Sequence, residues 1–75
     1  MREPKDEAIK LVQDQLQIQP PGLIELGYKS SSLYEWAVLS ADMCAIHAQY
    51  ENKEGTLRRI YWDTVRVEIN KLKNA

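Results

Sequence analysis

The stretch Leu33 to Tyr50, LYEWAVLSADMCAIHAQY, holds three strongly polar side chains besides its histidine, Glu35, Asp42 and Gln49, spaced seven apart. At about 100° of rotation per residue, every seventh position returns to nearly the same side of a helix. The spacing therefore predicts a helix that is apolar almost all round, crossed by one narrow polar line. Such a helix needs burial on most of its surface. A wheel divides its apolar part in two: a bulky side of Trp36, Leu39, Met43, Ile46 and Tyr50, and a small side of Ala37, Ala41, Cys44, Ala45 and Ala48. Two unlike faces imply two unlike packing partners. Volume favours the small face for tight packing within the chain, although a dimer closed through the alanine face is nearly as good a solution.

The whole chain has 75 residues. That length predicts a single helical domain over 1–75, and a chain of this size buries only about 60% of the surface its unfolded form exposes. Small domains supplement such a core with disulfides, a metal or a partner. Cys44 is the sole cysteine and His47 the sole histidine. An intrachain disulfide is excluded, and no metal site or cofactor is expected. Oligomerisation remains, most simply as a symmetric dimer.

Ten basic and eleven acidic residues leave a net charge of −1, so no bulk field advertises nucleic acid or anionic lipid. No charged n-region followed by an apolar h-region stands at the N-terminus, and the expected location is the cytoplasm. The run 33–50 approaches the length of a short membrane span, but Glu35, Asp42, His47 and Gln49 interrupt it. A bilayer span is therefore not expected.

Around the central segment the pattern predicts two more helices, giving main helices over about 4–18, 32–53 and 56–73. Pro4 suits a first helical position, and Glu3, Asp6 and Glu7 suit the positive end of the helix dipole. Ala8, Ile9, Val12 and Leu16 form the first helix's core stripe, while Gln13, Gln15, Gln17 and Gln19 cover part of its outside. Pro20 and Pro21 end it. A short helical turn is predicted near 21–27, laying Leu23, Ile24 and Leu26 over the core and stopping at Gly27. Ser32 and Glu35 read as an S-x-x-E capping box, and Gly55 as the central helix's stop. In the third helix Leu57, Ile60, Tyr61, Thr64, Val65 and Leu72 share one face, with Trp62 and Ile69 on its flank. Two alternatives stay open: a strand over 64–70, where Val65, Val67 and Ile69 alternate with polar residues, and one continuous helix through Gly55.

No residue set has the signature of a reaction. Cys44 and His47 are helix neighbours, three apart, but no orienting third group or oxyanion turn accompanies them, and no catalytic residue is assigned. Glu35 and Asp42 read as a cap and a solvated stripe, with Arg58, Arg59 and Arg66 as candidate partners for Asp42 across a helix interface.

Leu26 to Trp36, LGYKSSSLYEW, resembles the turn and second-helix start of helix-turn-helix DNA-binding proteins. The resemblance covers eleven residues. It implies Lys29, Ser30 and Ser31 at the phosphate backbone and Ser32, Tyr34 and Glu35 near base edges. The charge balance lacks the basic patch that supplies nonspecific affinity.

The principal expectation is thus an all-α, non-enzymatic interaction or regulatory module that self-associates. Its contact residues would be Trp36, Leu39, Met43, Ile46 and Tyr50, with Trp62 and Ile69 beside them, since aromatics and Met anchor buried interfaces. A helix-turn-helix regulator is the alternative.

Overall fold

The computed structural model describes residues 2–18 and 30–73, with side chains from Leu33 onward in the second segment. Three helices account for it: α1 (Pro4–Gln17), α2 (Ser30–Glu51) and α3 (Leu57–Lys73), each packed against the other two. Residues 64–70 are helical, so the strand alternative falls. The helical turn expected near 21–27 lies outside the described residues.

α1 opens as its sequence requires. Pro4 occupies the first turn with Asp6 and Glu7, and the Glu7 amide donates to the Glu3 carbonyl at 2.9 Å. Its buried positions are Ala8, Val12 and Gln15. The first two belong to the expected stripe; Gln15, expected on the outside, is a correction. Its side chain turns inward because Ser40 of α2 offers a hydroxyl, which donates to Oε1 at 2.5 Å.

In α2 Ser30 is already helical, which places Ser32 inside the helix and removes the Ser32–Glu35 capping box. The other end breaks cleanly, and the continuous-helix alternative falls with it. The Asn52 side chain caps the Ala48 carbonyl at 2.7 Å. Lys53 to Thr56 then form a four-residue turn, with the Thr56 amide donating to the Lys53 carbonyl at 3.2 Å. Gly55 takes φ +83°, a left-handed conformation that costs a residue with a Cβ. Thr56 starts α3, its hydroxyl accepting from the Arg59 amide at 3.2 Å while donating to the Lys53 carbonyl at 2.7 Å. That N-cap satisfies one of the donors a helix start leaves orphaned.

The short turn makes α2 and α3 antiparallel. α1 runs the same way as α3: Arg2 and Glu7 share a groove with Arg58, Tyr61 and Trp62, whereas Lys5 and Ile9 share one with Glu68, Lys71 and Leu72. The core between the three consists of Ala8, Val12, Ala37, Val38, Ala41, Ala45, Val65 and Ile69. Leu33 is buried as well. Four alanines and three valines make this a core of small side chains, which lets the helices approach closely and limits the apolar area each contributes.

α3 is rotated from its expected setting. Val65 and Ile69 are fully buried, with Tyr61, Trp62 and Leu72 packed against the core. Leu57, Ile60 and Thr64, expected inward, face solvent. The cause is polar: Asp63 and Arg66 are drawn toward α2, and turning them there swings Leu57 and Ile60 out. Ile69, expected beside a contact surface, is instead part of the protomer core and leaves the set of contact candidates.

Candidate interaction surface

The two faces of α2 resolve as follows. Ala37, Ala41 and Ala45 have no exposed surface, while Leu39, Met43 and Tyr50 on the opposite side are 54%, 55% and 73% exposed. The core lies on the small face through Ala37, Ala41 and Ala45, while Cys44, expected on that face, is exposed and Ala48 is half-buried. Trp36 and Ile46 are half-buried at the borders of the bulky face, and Trp36 packs against the core cluster. Trp62 does the same from α3, meeting Tyr61 edge-to-face with ring centroids 5.5 Å apart.

The polar line is not a solvated stripe over its whole length. Arg66 reaches Asp42 through Nε at 3.2 Å and Gln49 Oε1 through a terminal nitrogen at 3.1 Å. Gln49 in turn donates to Asp63, which also receives Arg59 Nε at 3.4 Å. Of the three arginines available to Asp42, Arg66 is therefore the partner. Asp42 and Gln49 form the seam with α3; only Glu35 is left exposed. Arg59 extends the network to the Asn52 carbonyl at 3.2 Å and lies over the Tyr50 ring, 5.3 Å from its centroid. A guanidinium on the ring face is attracted by the ring quadrupole, and here it steadies an aromatic side chain that is otherwise in solvent.

Beside Leu39 the surface dips into a groove of about 240 Å³ lined by Tyr34, Glu35, Val38, Leu39 and Lys73. Its lining combines three apolar or aromatic side chains with one carboxylate and one ammonium. A row on α3 was missed by the sequence reading: Leu57, Ile60 and Val67 are 85%, 51% and 53% exposed. The signal was present in the 3-4-3 spacing of Leu57, Ile60, Thr64 and Val67, but the same residues also fitted an inward face.

The residues weighed for chemistry are not assembled into a reactive group. Cys44 and His47 are both exposed, and the Cys44 sulfur takes a long contact from the Gln15 amide at 3.7 Å. Among the described residues no group of three or more His, Cys, Asp or Glu is placed to hold a metal ion, and no helix is long and apolar enough to cross a membrane. Tyr61 has a perturbed proton affinity: burial first, then the Glu7 carboxylate, push its phenol above the usual 10.0. Its hydroxyl stays a donor at neutral pH.

Of the residues implied by the helix-turn-helix resemblance, Lys29 lies outside the described residues. Ser30, Ser31 and Ser32 fall in the first turn of α2, and Tyr34 is partly exposed. Leu33 beside them is buried in the bundle. Compared with protein-family models, curated proteins and solved structures, the chain matches none.

Proposed function

We propose that this chain is a small, non-enzymatic interaction module that self-associates as a twofold dimer through the outer face of α2, in a regulatory or scaffolding role in the cytoplasm. The observation that carries the reading is the pairing on one helix of a fully buried alanine face with an exposed face of Leu39, Met43 and Tyr50. Residues 36, 39, 43, 46 and 50 alternate steps of three and four. That is the spacing of a helix-pairing seam. Large aromatic and Met side chains are favoured at the centre of buried interfaces and disfavoured as isolated surface residues. A free thiol at Cys44 suits a reducing compartment.

Sedimentation over a wide concentration range tests the proposal. The wild type is expected to pass from monomer to dimer, and Met43→Glu to remain a folded monomer throughout. A compact wild-type monomer at the highest concentration would remove self-association, and unfolding of Met43→Glu would show that this face serves the protomer core.

A further inference from the structure

We draw no further inference here: the strongest candidate, the outer row of α3 on which Leu57, Ile60 and Val67 stand exposed, is an apolar face for which nothing in the structure shows what covers it.

Discussion

One helix carries two apolar faces with opposite fates. On the inner face of α2, Ala37, Ala41 and Ala45 are sealed against α1 and α3; on the outer face, Leu39, Met43 and Tyr50 stand more than half exposed. Hydropathy alone would have buried the larger residues, each worth about 1.5–3 kcal/mol when fully covered. Size decides otherwise. Alanines let two neighbouring helices approach the α2 backbone at once, and among the described residues no further helix packs on the opposite side. The larger hydrophobic gain is left unrealised in the protomer, available to whatever covers that face.

The contrast can be broken most severely from the inside. Ile69→Ala removes the largest fully buried side chain among the described residues and should cost about 2–5 kcal/mol in urea titration, enough to unfold much of so small a domain. Ala41→Leu overpacks the alanine face at a cost of about 1–3 kcal/mol. The mirror-image change, Leu39→Ala, should alter the stability of the dilute protomer by no more than about 0.5 kcal/mol. Equal costs for Ala41→Leu and Leu39→Ala would erase the distinction between the faces. Gly55→Ala tests the turn that sets α3 against the small face: at φ +83° it should cost about 1 kcal/mol in a thermal melt.

The smallest effect is confined to alkaline pH. The folded state raises the Tyr61 phenol above its ordinary value, by burial and then by Glu7. The native chain therefore holds that proton more tightly than the unfolded chain does. Its contribution is complete below the unfolded value of about 10 and is lost as pH rises through the folded one. Urea midpoints should fall above about pH 10, and Tyr61→Phe should flatten that fall.

Much of this arrangement was legible in the residues. The seven-residue spacing of Glu35, Asp42 and Gln49 placed the central helix, and the wheel set Ala37, Ala41 and Ala45 apart from Leu39, Met43 and Tyr50, though it put the exposed Cys44 with the alanines and Trp36, which packs against the core, with the bulky side chains. α3 was harder. Leu57, Ile60, Tyr61, Trp62, Val65, Val67, Ile69 and Leu72 occupy so much of its circumference that several rotations bury a plausible set. The choice fell to Arg66 and Asp63, whose hydrogen bonds to Asp42 and Gln49 are long-range and leave no periodic trace. Gln15 was hidden for the same reason: a glutamine in a run of alternating glutamines reads as surface until Ser40, twenty-five residues away, is seen to face it. Ser32 failed as a cap because α2 is already helical at Ser30, and an S-x-x-E pattern does not by itself mark which serine precedes the helix.

The central claim, that the small face holds the protomer together and the bulky face holds a second copy, is tested most directly by the concentration dependence of the thermal midpoint. A dimer closed through α2 predicts a wild-type Tm that rises with protein concentration, and a Met43→Glu Tm that is independent of concentration and equal to that of the dilute wild type. A wild-type Tm that does not move with concentration, together with a large drop in Met43→Glu, would contradict the account and assign the bulky face to the protomer's own stability.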